Sequence, residues 1–252
     1  MLKIIRTFII TLTITLAACE RNIPSNPPVL MSGAELVYTS NNQVTACFPR
    51  GSRPIMWLDD KTPTGVSVET LRAVASKINL NVKFIDKVNQ AQVIEDFQAG
   101  LCDIATGVKE TPERAEFMDF TQPYLFIGTT MLVRQPPIKF PMRVGFGRKF
   151  GVASTVQKFG GQLDVVEFAS DRDSFKALVA NDISAIVIDE LTAHQLEKEN
   201  NIKFARVGVD FFYDIAFGYQ PNNPMLGELL RKGLANLTIQ EKAAIYEAEI
   251  AK

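Results

Sequence analysis

Short apolar runs alternate along this chain with segments of helical period. The runs at 44–48, 82–85 and 102–106 are brief and bounded by turn residues, which predicts buried strands. Between them, Val68, Leu71, Ala75 and Ile78 follow helical spacing, and 91–97 predicts a second helix. Strand, helix, strand, helix, strand implies right-handed crossovers and a parallel sheet. The apolar stretch 124–134, followed by Pro136-Pro137, predicts a crossing strand and hinge into a second unit. There the alternation repeats: a strand at 151–154, a helix opening at 155–159, and a strand at 165–168. A helix capped by Ser170-Asp171 and carrying Phe175, Leu178 and Val179 follows, then a buried strand, 185–188, ending at Asp189. Residues 203–207 lead into 211–219, a return crossing, and two crossings make two α/β lobes on a double hinge. Past Pro224, Leu226, Leu229, Leu230, Leu234 and Leu237 recur every three or four residues, so this helix packs back on the first lobe. A terminal helix spans 240–251. The expected division is 43–134 plus 218–252 for the first lobe and 135–217 for the second.

The N-terminus has a different character. Lys3 and Arg6 precede an apolar run, 8–16, that ends in Leu16-Ala17-Ala18-Cys19. That order reads as a bacterial signal peptide, 1–18, with a lipobox-like end; interrupted by Thr11, Thr13 and Thr15, the run is too short to span a bilayer comfortably. The ending resembles that of bacterial lipoproteins, which implies a lipid on Cys19, an extracytoplasmic location and a membrane contact made through acyl chains alone. Residues 19–42, with Pro24, Pro27 and Pro28, read as a tether.

Lys+Arg 27 against Asp+Glu 28, with no basic run, gives no footing for nucleic acid. The 46% hydrophobic content over 252 residues is enough for one large or two modest cores. The lone histidine, His194, lies in a polar helix, so neither a metal site nor a His-activated nucleophile is expected. No cofactor is implied. Cys47 and Cys102 invite a disulfide in an exported protein. On neighbouring parallel strands, however, one would sit near the exit end and the other near the entrance, so two separate buried thiols are expected.

The candidate chemistry centres on Thr111-Pro112-Glu113-Arg114. Threonine then proline is a helix start, placing Arg114 in a first turn where free amides already favour an anion. A guanidinium there can clamp a carboxylate through both oxygens. The plainer reading is a surface pair with Glu110 or Asp119. Asp189 ends an apolar strand, where an acid is costly unless a cation meets it; the plainer reading is a helix cap.

The segment 99–124, AGLCDIATGVKETPERAEFMDFTQPY, resembles the signature of bacterial family 3 solute-binding proteins, which serve polar amino-acid transport. Gly65-Val66-Ser67-Val68-Glu69 is similar to that family's Gly-Phe-Asp-Val-Asp, with Ser67 in place of the first acid. The resemblance implies the periplasmic-binding-protein type 2 fold, a two-lobed Venus flytrap. It implies that Arg114 takes a ligand carboxylate and Asp189 its ammonium, with help from Thr106, Gly107 and Thr155, and that Met56 or Trp57 packs on the ligand. Lys109, Gln90 and Arg53 replace a hydroxyl and two aromatic residues of the pattern. These changes suit an acidic or amide amino acid, or a non-standard acid. The implied partners are a small-molecule ligand and an ATP-driven (ABC) permease, with the protein a monomer. A sensor or accessory lipoprotein stays open as an alternative. So does a dehydratase on the same scaffold, with Asp189 or Glu190 as general acid.

Overall fold

The computed structural model describes residues 29–134, 140–147 and 161–252; the leader, Cys19, the strand expected at 151–154 and Thr155 lie outside them. In the first lobe β1 (Gln43–Pro49) runs parallel to both β5 (Asn81–Lys87) and β6 (Ile104–Val108). Alternate side chains take opposite faces, so both faces need cover. Val44 and Ala46 pack with α2 (Val66–Lys77) and α7 (Pro224–Ala235), among Leu71, Val74, Leu229 and Leu230. Cys47 and Ala105 pack with α3 (Gln90–Gln98), among Val93 and Phe97. Leu226, Leu229, Leu230 and Leu234 of α7 are fully buried or nearly so. At about 1.5–3 kcal/mol for each leucine, they fix the C-terminal region to this lobe.

The second lobe has the order β10 (Leu163–Glu167), β9 (Met142–Phe146), β11 (Ala185–Asp189), β8 (Leu125–Val133). Phe175 and Leu178 of α5 (Asp171–Ala180) and Leu196 of α6 (Glu190–Asn200) cover one face, against Ile186 and Ile188. Met131, Val144 and Val187 make the other. Strand β9 was not among the expected elements. The crossing strand β8 is also not confined to the first lobe: its Thr129–Val133 half pairs with β11. The return crossing is one strand, β12 (Ala205–Tyr219), which pairs with β8 and then, after Ile215, with β6 and with β7 (Asp119–Phe120). The lobes thus share two strands at the waist.

The expected tether is shorter than its composition implied. Residues Gly33–Asn41 form α1, closed by a capping box between Ser32 and Glu35. Val29, Met31 and Tyr38 pack on the first core, and Glu35 meets Lys232 of α7 at 2.7 Å. Hydrogen bonds from Lys232 and Ser32 hold the Glu35 carboxyl down at about 2. Because the folded pKa is depressed, this contact stabilises above the ordinary carboxylate range and is lost as pH falls towards 2. Glu35→Gln should therefore lower stability at neutral pH and flatten the acid side of the stability curve, read by urea melts between pH 2 and 7. Parallel curves for the two proteins would count against it.

Where a loop was expected after β1, the chain folds a small sheet of β2 (Gly51–Ser52), β3 (Met56–Asp59) and β4 (Thr62–Thr64). It leads into α2 through Gly65, whose φ of 114° and close approach leave no room for a side chain: a Cβ would stand 2.4 Å from the Ile55 carbonyl oxygen. Helix α8 (Ile239–Ala251) ends the chain beside this sheet, with the buried Glu249 accepting from the Gly65 amide at 3.1 Å.

Cys47 and Cys102 are joined, with Cα atoms 5.8 Å apart, which corrects the expectation of two thiols. The reason is that β6 starts at Ile104, so Cys102 belongs to the bend feeding the strand and not to its extended part. The Asp103 carboxylate accepts from the Thr45 amide and hydroxyl, both at 2.7 Å, and pins that bend beside β1.

Candidate functional site

Strands β1, β5 and β6 all point their carboxyl ends at the waist, where the loops of an open α/β sheet collect ligands. A cleft of about 1010 Å³ opens there between the lobes. From the first lobe it is lined by Met56, Gln90, Gly107, Lys109 and Arg114, and from the second by Asp189. Six of the nine expected ligand residues are therefore brought together.

Arg114 arrives as its local sequence dictates. Thr111 caps the one-turn α4 (Pro112–Ala115), its hydroxyl accepting from the Arg114 amide at 3.3 Å. The guanidinium folds back, Nη1 donating to the Lys109 carbonyl at 2.8 Å. That is a carbonyl, not a carboxylate, and among the described residues Arg114 forms no ion pair, with Glu110 and Asp119 included. Burial lowers its pKa, opposed by the charge of Glu113. A half-buried cation matched only by a dipole favours an anion beside it.

Asp189 is both things the sequence allowed. It is buried and caps α6, Oδ1 accepting from the Thr192 amide at 2.8 Å, and it also lines the cleft. One oxygen bound to a backbone amide leaves the rest of the carboxylate's acceptor capacity for a donor in the cleft.

Gly107 lies at φ 68° with Met56 folded against it; a Cβ would fall 2.6 Å from the Met56 sulfur. This glycine lets the thioether form part of the wall. Behind it the hydroxyls of Ser67, Thr106 and Tyr124 are buried without partners of good geometry. Burial raises the pKa of Tyr124.

Two expected residues stand elsewhere. Thr106 is fully buried behind the wall and does not line the cleft. Trp57 is turned away on β3, with the Arg53 guanidinium 5.0 Å from its ring centre and the Lys252 ammonium at 5.9 Å. The hairpin explains this, since adjacent residues of a strand face opposite ways and Met56 takes the cleft side. Arg172, Thr129 and Thr192 line the cleft without having been singled out. For Arg172 the signal was present, because Ser170-Asp171 starts a helix at the carboxyl end of β10 and so faces the same waist.

This architecture belongs with a known family. The sequence profile of bacterial extracellular solute-binding proteins, family 3, matches residues 44–248, and the chain is a member of that family. Its fold is the two-lobed periplasmic-binding-protein type 2 fold. The probable amino-acid-binding protein YxeM of Bacillus subtilis (strain 168) is 32% identical over 85 residues, 33% of this chain and 32% of that protein. The matches to curated relatives thus span about a third of their length. Among solved structures, the periplasmic VFT2 domain of Bordetella pertussis BvgS superposes with TM-score 0.76 at 18% identity, over 87% of this chain and 98% of that one. The substrate-binding protein of an amino acid ABC transporter gives 0.70 at 16% identity, over 84% and 100%.

Proposed function

We propose that this protein binds a polar α-amino acid in the cleft and delivers it to an ATP-driven permease. The observation that carries the reading is the meeting, in one cleft, of an arginine that makes no ion pair among the described residues, from one lobe, and a buried aspartate from the other. Opposite charges on opposite walls are complementary to a zwitterion. Each lobe holds half of the contacts, so the ligand favours the closed form by its preference for that form. The relatives named for amino-acid binding and for ABC transport support the same reading, as does the lipobox-like end at Cys19 for a lipid-held protein outside the cytoplasm.

A thermal-shift screen of amino acids and small organic acids tests it. At about a hundred times Kd, the cognate amino acid should add roughly 2.7 kcal/mol of stability and raise Tm by about 5–10 °C. A shift given only by organic acids that lack an amine would remove the zwitterion and bring the dehydratase reading forward. Genes for a permease and an ATPase beside this one would favour transport over an envelope sensor.

A further inference from the structure

The charges lining the cleft are not balanced. Among the described residues that line it, Arg53, Lys109, Arg114 and Arg172 are cationic and Asp171 and Asp189 anionic. Arg172 is already satisfied by Glu199 at 2.7 Å. Arg53 is not satisfied in the same way. Its Nη2 donates to a main-chain oxygen of Lys252 at 2.6 Å, while Nε is buried with no acceptor among the described residues. Glu199, an acid whose charge Arg53 feels, is engaged by Arg172 and by Gln195. A second donor on the same cleft, the Gln90 side-chain Nε2, is likewise buried without a partner among the described residues.

Strand order places these donors relative to Arg114. The first-lobe sheet runs β6, β1, β5, and the loops leaving those strands carry Arg114, Arg53 and Gln90 in turn. Arg50, on the loop that leads to Arg53, donates its amide to the Lys87 carbonyl at 2.9 Å, which ties the last two loops together. In that order the Arg53 loop neighbours the Arg114 loop and the Gln90 loop lies beyond it. Met56 lies along the wall on the Arg53 loop, offering an apolar surface to a short carbon chain. A guanidinium N–H and an amide N–H can only donate, and a buried donor left unmade costs free energy.

We infer that Arg53 and Gln90 form a second, acceptor-seeking subsite beyond Arg114, so that the ligand is an α-amino acid with a carboxylate side chain, such as aspartate or glutamate. This rests on the amino-acid reading above and narrows it. The α-carboxylate lies at Arg114, the ammonium at Asp189 and the distal carboxylate at Arg53 and Gln90.

Calorimetric titration of the purified protein, refolded from denaturant to strip any co-purified ligand, tests this. The probes are L-glutamate, L-aspartate, L-glutamine, L-asparagine and L-arginine. An acidic amino acid should bind at least about tenfold more tightly than its amide, the scale of one charge-assisted hydrogen bond. Arg53→Gln should cut acidic binding by about tenfold or more and leave the amide within a few-fold. Because Arg53 also packs on Trp57, Gln90→Glu serves as a second variant. It turns the donor into an anion and should weaken acid binding while sparing the amide. Equal affinity for acid and amide, or equal losses for both in the two variants, would overturn the subsite and leave the amino-acid reading standing. Failure of all five probes on folded wild-type protein would overturn both.

Discussion

Arg114→Ala is expected to erase the ligand-induced rise in melting temperature without lowering the stability of the ligand-free protein. Removing one partner of a desolvated charge pair costs about 2–5 kcal/mol of binding, or roughly 30-fold to several thousand-fold in Kd. A concentration that saturates the wild type would then leave the variant mostly empty, and the shift would vanish. The ligand-free protein has nothing comparable to lose, because among the described residues the guanidinium makes no ion pair, bonding to the Lys109 carbonyl with only the more distant charge of Glu113 to offset its burial. Differential scanning fluorimetry with and without ligand decides it. An undiminished shift in the variant would remove the clamp from the mechanism; a collapse of the ligand-free melt would make Arg114 a structural residue.

The second large effect concerns the Cys47–Cys102 bond. It closes a loop across a sequence separation of 55 residues that contains β2 to β5, α2 and α3, hence most of the first-lobe wall. Chain-entropy arguments give about 4 kcal/mol for a loop of that size, with measured losses for native bonds of about 2–5 kcal/mol. The double variant Cys47→Ala, Cys102→Ala should therefore unfold at clearly lower urea, and reductant should shift the wild type in the same direction. Wild-type melts that coincide with and without reductant, with the bond shown broken by thiol titration, would contradict this. Effects on Arg114 should be indirect, since its loop leaves the strand that follows the bridge.

How much of this was legible beforehand depended on whether the determining contacts were local. Thr111-Pro112 fixes a helix start within four residues, and that is enough to bring Arg114 to the cleft. Asp189 was readable for the same reason: an acid ending an apolar run must lie at a strand's edge. The bridge was misread because strand β6 was begun at Cys102, two residues too early, and its true start is set by Asp103 bonding to Thr45 in a distant strand. Trp57 was misplaced because the hairpin that turns it away from the cleft depends on pairing with β2 and β4. Helix α1 was a different kind of miss. Ser32-Gly33-Ala34-Glu35 spells out the capping box that starts it, but the prolines upstream made the whole region read as a leash.

Strand β12 carries one more implication. Its fifteen residues run unbroken from one sheet into the other, with β8 alongside and a register shift between Gly208 and Phe212. The lobes are thus joined by a paired ribbon that behaves as a leaf spring, able to twist but resistant to shear, because sliding would break ladder bonds in both sheets at once. Approach of the two walls by rotation therefore disturbs fewer bonds than sliding, and the register shifts at Gly208/Phe212 and Ala216/Gly218 are where that torsion can be taken up.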